Sequence, residues 1–100
     1  MTNPNKTVYK TYPTTGRGTI NTGTTLNANF GTQRVAVNGY VQNFDQQGND
    51  LLIKLNSASN DLIVVKCGTS FVFKNEYIDK IYLTNDSGAA IEYQVVLVGA

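Results

Sequence analysis

The feature that most constrains this chain is the pattern between Asp50 and Gly99. Short apolar segments recur there with a period of two and are separated by turn signals. They are Leu51-Leu-Ile-Lys-Leu55, Leu62-Ile-Val-Val65, Phe71-Val-Phe73, Ile78 to Leu83, and Ile91 to Val98. Alternation at period two puts one side-chain set on each face of a strand, whereas a helix needs spacings of three and four. No window of a dozen residues keeps the helical spacing, so the expected class is all-β.

The faces can be assigned strand by strand. From Gln33, alternation sets Val35, Val37 and Val41 on one side and Arg34, Ala36, Asn38 and Tyr40 on the other. Gly39 interrupts that strand, which suggests a bulge or the close approach of another backbone. Leu51, Ile53 and Leu55 point inward, with Lys54 outward. Leu62 to Val65 is apolar throughout and reads as a central strand covered on both faces. Phe71 and Phe73 share a face, and Asn75-Glu76 makes a corner. Beyond it, Ile81 and Leu83 share a face with Tyr77 and Asp79, opposite Ile78, Lys80 and Tyr82. The last strand sends Ile91, Tyr93, Val95 and Leu97 one way and Glu92, Gln94, Val96 and Val98 the other. Gln46 to Asn49 and Asn85 to Gly88 are turns, because Asn and Asp bond nearby backbone and Gly accepts positive φ. Six strands at roughly ten-residue spacing, with one or two more upstream, mean a sandwich or a small barrel, and of the two a jelly-roll-like antiparallel β-sandwich is the expected fold.

Residues 1–32 are a different material. Ten are Thr, five Asn and four Gly, and eight are hydrophobic, against 33 hydrophobic residues in the 68 that follow. Thr7 to Thr11 suits a short strand stopped by Pro13. So little apolar surface cannot order such a segment alone. The expected layout is an extended N-terminal arm over 1–32 and a sandwich body over 33–100, with the arm laying strands on that body or on another subunit. Val8, Tyr9, Tyr12, Arg17 and Ile20 are the arm residues expected to make contacts with another subunit or a larger assembly. Lys6, Lys10 and Arg17 make the arm weakly basic, and seven acids make the body weakly acidic.

Composition excludes several chemistries. The chain has no His, which removes the usual neutral-pH base and the commonest metal ligand. One Cys allows neither an internal disulfide nor a Cys/His zinc site, and Cys67, after an apolar strand, reads as a buried structural thiol. Five of the seven acids sit in or beside turns, where local hydrogen bonding accounts for them. Asp45 to Asp50 and Asn85 to Gly88 offer oxygen ligands for calcium but lack the EF-hand spacing. The expectation is no catalytic residues, cofactor or metal. A net charge of +1 without interleaved aromatic and basic residues gives no reason to expect nucleic acid. No apolar run reaches the roughly 18 residues of a membrane span, and no apolar h-region marks a signal peptide. A soluble protein made in a cytoplasm is expected. Of the six tyrosines, Tyr77 and Tyr93 suit half-buried sheet positions, and Tyr9 and Tyr12 suit interface anchors.

The second half resembles small structural proteins of tailed-bacteriophage virions, of the head-decoration or fibre-base type. The residues that carry the likeness are Asp61-Leu-Ile-Val-Val65, Gly68-Thr-Ser-Phe-Val-Phe73, Ile78-Asp-Lys-Ile-Tyr-Leu-Thr-Asn85, a Ser-Gly turn, and Tyr93-Gln-Val-Val-Leu-Val-Gly99. The resemblance implies a non-enzymatic sandwich, frequently a jelly roll, that forms trimers and sits on a capsid or tail. On that basis the expected function is virion structure, foremost capsid decoration, with a tail or fibre component next. The implied partners are sister subunits and the major capsid or another virion protein. The competing classes are a carbohydrate-binding β-sandwich module, which the fold and tyrosines would suit, and a bacterial surface adhesin.

Overall fold

Alternating strands with one apolar face must bury that face against a second sheet. The computed structural model, which describes residues 8–30 and 36–99, arranges them so. Among the described residues there are nine strands: β1 Val8–Tyr12, β2 Gly18–Ile20, β3 Gly23–Asn27, β4 Ala36–Asn43, β5 Leu51–Leu55, β6 Ile63–Val65, β7 Ser70–Ile78, β8 Lys80–Thr84 and β9 Ile91–Gly99. One sheet, here sheet A, has the order β1-β9-β4-β7, with β2 also paired to β9. The other, sheet B, has the order β3-β8-β5-β6. All pairings are antiparallel. The chain is an antiparallel β-sandwich.

The shared core joins the inner faces. Ile20, Val41, Phe73, Ile78, Ile91, Tyr93, Val95 and Leu97 come from sheet A, and Leu26, Leu51, Ile53, Val65, Ile81 and Leu83 from sheet B. The alternation in β5 and β9 therefore matches the expected inward sets, although Leu55 is only partly buried.

The Thr-rich segment takes the first of its two expected layouts, with strands laid on the body rather than on another subunit. Residues 8–30 do not extend from the sandwich but complete it, using their own chain rather than a neighbour. β1 and β2 lie end to end along one edge of β9, at Tyr12↔Val95 and Gly18↔Tyr93. Pro13, with no N–H to donate, falls where the two separate. β3 covers β8 through Leu26↔Ile81. An edge strand needs apolar groups on one face only, so a few suitably spaced residues suffice; Ile20 is 4% exposed and Leu26 and Ala28 are buried.

Three other expectations are corrected. Leu62 to Val65 is not central: β6 is the outer strand of sheet B and Val64 is 48% exposed. A two-layer sandwich covers one face of each sheet, so the second apolar face of β6 meets solvent. In β4, Ala36 is buried and Val37 only half-buried, opposite to simple alternation. Against β9, Ala36↔Gly99 is followed by Asn38↔Val98, so Val37 is an extra residue that resets the inward face to Gly39, Val41 and Asn43. Val35, Arg34 and Gln33 lie outside the described residues, as do Lys6 and Thr7. Finally, Ile78 and Ile81 are both buried because the chain passes from sheet A to sheet B between them. Asn56 holds that crossing. Its Oδ1 accepts from Asp79 N at 2.7 Å and its Nδ2 donates to Tyr77 O at 2.9 Å. Tyr77 consequently points away and is 77% exposed rather than half-buried.

Candidate binding surfaces

Two buried asparagines organise the ends of the sandwich. Asn43 Nδ2 donates to Asn49 O and Val65 O, both at 3.0 Å, and its Oδ1 accepts from Asp45 N at 2.8 Å. Asn85 Nδ2 donates to Ile20 O at 2.9 Å and Ala89 O at 2.6 Å, and its Oδ1 accepts from Ser87. Both satisfy loop carbonyls that would otherwise be buried without partners.

Asp45 performs the turn chemistry expected of it. Its Oδ2 accepts from Asn49 N at 2.7 Å and Gln47 N at 2.9 Å. The Asn49 amide, then that of Gln47 and the Asn49 side chain, hold the carboxyl below its ordinary value of 3.8, against an opposing effect of burial. A depressed folded pKa stabilises the fold above the unfolded value and loses that contribution as pH falls through the folded one. Thermal melts of the native chain and Asp45→Asn from about pH 6 to about pH 2 should therefore show a stability difference that shrinks with acid. A difference constant across that range would refute this role.

Beside this turn lies a surface pocket of about 320 Å³. Arg17, from the β1–β2 connection, reaches across it. Its guanidinium lies over the Phe44 ring at 3.9 Å, and Nη1 is 3.5 Å from Glu92 Oε2. Gln46 and Gln47 line the turn side, and Ala90 lies just before β9. Phe44 N donates to Glu92 O at 2.9 Å, which ties the two walls together.

The second surface is the outer face of sheet A. Strand register places Thr11, Val96, Tyr40 and Val72 in one row across four strands. Tyr9, Val98, Asn38 and Lys74 form the next row, and Gln94, Gln42 and Ser70 flank the other side. Within these rows the charge is carried by Lys74 alone.

The expected arm contacts divide between these places. Tyr9 is 72% exposed on the outer face. Val8 is half-buried against Gly99. Tyr12 packs against the core and donates from Oη to Asn27 O at 2.7 Å. Arg17 belongs to the pocket, and Ile20, inside its own core, is unavailable to a partner. Cys67 is half-buried rather than buried, while Tyr93 is buried, which raises its phenol pKa. Among the described residues no group of three His, Cys, Asp or Glu side chains is placed to hold a metal, and no helix is long and apolar enough to cross a membrane. The sequence places Gln46 and Gln47 in a turn, but nothing in it joins them to Phe44 or Glu92. Val96 and Val98 are legible as apolar residues on the outward side of the last strand.

Comparison with family models, curated proteins and solved structures returns no match to this chain. The fold and the two surfaces define a β-sandwich with a polar pocket at one end and an outer sheet face whose central rows carry Lys74 as their one charge, with Glu92 beyond them at the pocket end.

Proposed function

We propose that this chain is a non-enzymatic structural subunit of a tailed-bacteriophage virion, foremost a capsid decoration protein and otherwise a tail or fibre component. The outer face of sheet A is the observation that carries the reading. Its rows combine exposed Tyr9 and Val72 with Val96, Val98 and Tyr40, and bear little charge. Aromatic enrichment and charge depletion are the composition of interface cores. The strand order supports it. Counting β1 and β2 as one broken strand, the sheets read as two interleaved Greek keys of a jelly roll, an arrangement shared by viral capsid and lectin domains. Fold alone does not assign function, so the virion setting rests on the sequence resemblance, as does the homotrimer.

In this reading the outer face meets a sister subunit or the major capsid or another virion protein, and neither nucleic acid nor membrane is a partner. The protein is made in the host bacterial cytoplasm and resides in the virion. Mass spectrometry of purified particles tests it, with the chain expected at a fixed, high copy number; its absence from particles overturns the reading. Val72→Glu, which alters an exposed side chain, is expected to lower oligomeric mass or particle binding while leaving the melting temperature nearly unchanged.

A further inference from the structure

The pocket beside the Asp45 turn borders the outer face of sheet A, since Glu92 adjoins Gln94 on the outward side of β9, but its polar chemistry differs from that of the valine and tyrosine rows. Its lining charges are Arg17, Glu92 and Asp45, a formal sum of −1. An anion would meet one guanidinium against two carboxylates in the lining, which disfavours it. A cation would find Asp45 committed to the amides of Gln47 and Asn49. What remains available is a ring of mixed donors and acceptors. Arg17 offers guanidinium donors, Glu92 offers carboxylate acceptors, and Gln46 and Gln47 each carry a side-chain amide with both. The Arg17–Glu92 pair is long, and both side chains are more than half exposed, so each can turn to a ligand at small cost. Phe44 and Ala90 add apolar wall.

We propose that this pocket binds a neutral saccharide. A sugar hydroxyl is donor and acceptor at once, and adjacent hydroxyls match planar groups such as guanidinium, carboxylate and amide, which bond in pairs. A volume of about 320 Å³ sits at the small end of ligand pockets, which run from about 300 Å³, and accommodates a terminal sugar of a longer chain that leaves through the open mouth. The Asp45 hydrogen bonds fix the turn bearing Gln46 and Gln47 before any ligand arrives, which reduces the ordering cost of binding. The inference is independent of the virion reading, since a saccharide site would serve a particle-bound or a free protein alike.

The test uses the full chain on a glycan array, followed by NMR titration with the best-binding neutral oligosaccharide and, separately, with inorganic phosphate. Expected are saccharide-induced shifts of the Gln46 and Gln47 side-chain amides and of Arg17 Nε–H. Arg17→Ala, and separately Gln46→Ala with Gln47→Ala, should each weaken affinity about tenfold or more, the scale of one or two charge-assisted hydrogen bonds. The glutamines are exposed, so the double variant should fold as the native chain does. No glycan bound on the array, binding unaffected by either variant, or shifts of these groups by phosphate but not by saccharide would each overturn the proposal.

Discussion

A chain lacking residues 1–28 is expected not to fold. The deletion removes β1, β2 and β3, and with them the partners along one edge of β9 and one edge of β8. It also takes Ile20, Leu26 and Ala28 out of the core. Losing a buried Ile or Leu side chain costs about 2–5 kcal/mol each. The two together approach the whole stability of an ordinary domain, about 5–15 kcal/mol. Asn85 loses Ile20 O as an acceptor, leaving a buried amide donor short of a partner. The bared edges of β8 and β9 are templates for intermolecular pairing, so the product should aggregate rather than persist as a monomer. Circular dichroism melts and size-exclusion chromatography decide the matter. A truncated protein that melts cooperatively as a soluble species would show the segment to be an appendage. Oligomerisation must therefore be probed by point substitutions on the outer face, since the deletion destroys the subunit before it can report on assembly.

The reason this was hard to see in the sequence is physical. Thr, Asn and Gly are poor in burial, and an average over 32 residues registers that poverty. An edge strand, however, contributes through two or three inward side chains and a ladder of backbone hydrogen bonds, and composition does not register backbone bonds. Ile20 and Leu26 are those side chains. Conversely, Leu62 to Val65 shows how apolar density misleads: no third layer covers the outer face of sheet B, and Leu62 and Val64 stay exposed. The strands legible from alternation were β5 and β9, where the pleat runs without interruption. In β4 a single extra residue reversed the faces, and at Asp79 a change of sheet let Ile78 and Ile81 both point inward.

The surfaces follow the same division. The outer-face valines of β9 were visible because the face of a strand is a local property. The pocket was not, because Arg17, Phe44 and Glu92 are distant in sequence and meet only once β2 and the loop after β4 are both docked on β9. The turn role of Asp45 was readable from its neighbours; its position beside Arg17 required the fold.

Gly39→Ala is expected to be among the most damaging single substitutions in the chain. Gly39 lies in β4, which is flanked by β9 and β7 in sheet A, and its φ is +157°. A Cβ there would run into the carbonyl oxygen of Val96 and stand 2.8 Å from the Phe73 ring and 3.2 Å from Leu97 Cα. None of these can yield easily. The carbonyl belongs to the paired β9 strand, and Phe73 and Leu97 are themselves buried in the core. Overpacking of this kind costs about 1–3 kcal/mol, and the unfavourable φ adds about 1–2 kcal/mol. A loss of about 2–5 kcal/mol, at about 4–8 °C of melting temperature per kcal/mol for a domain of this size, is a fall of about 8 °C or more. Gly48 supplies the comparison. Its φ is +85°, so a side chain there is also strained, but a Cβ meets nothing within 4 Å. Gly48→Ala should therefore cost only about 1–2 kcal/mol. The excess for Gly39→Ala measures the closeness of β9 to β4. Equal melting temperatures for the two variants would mean that the strands can separate without cost, and that the tight approach of Val96 to Gly39 is not part of what holds sheet A together.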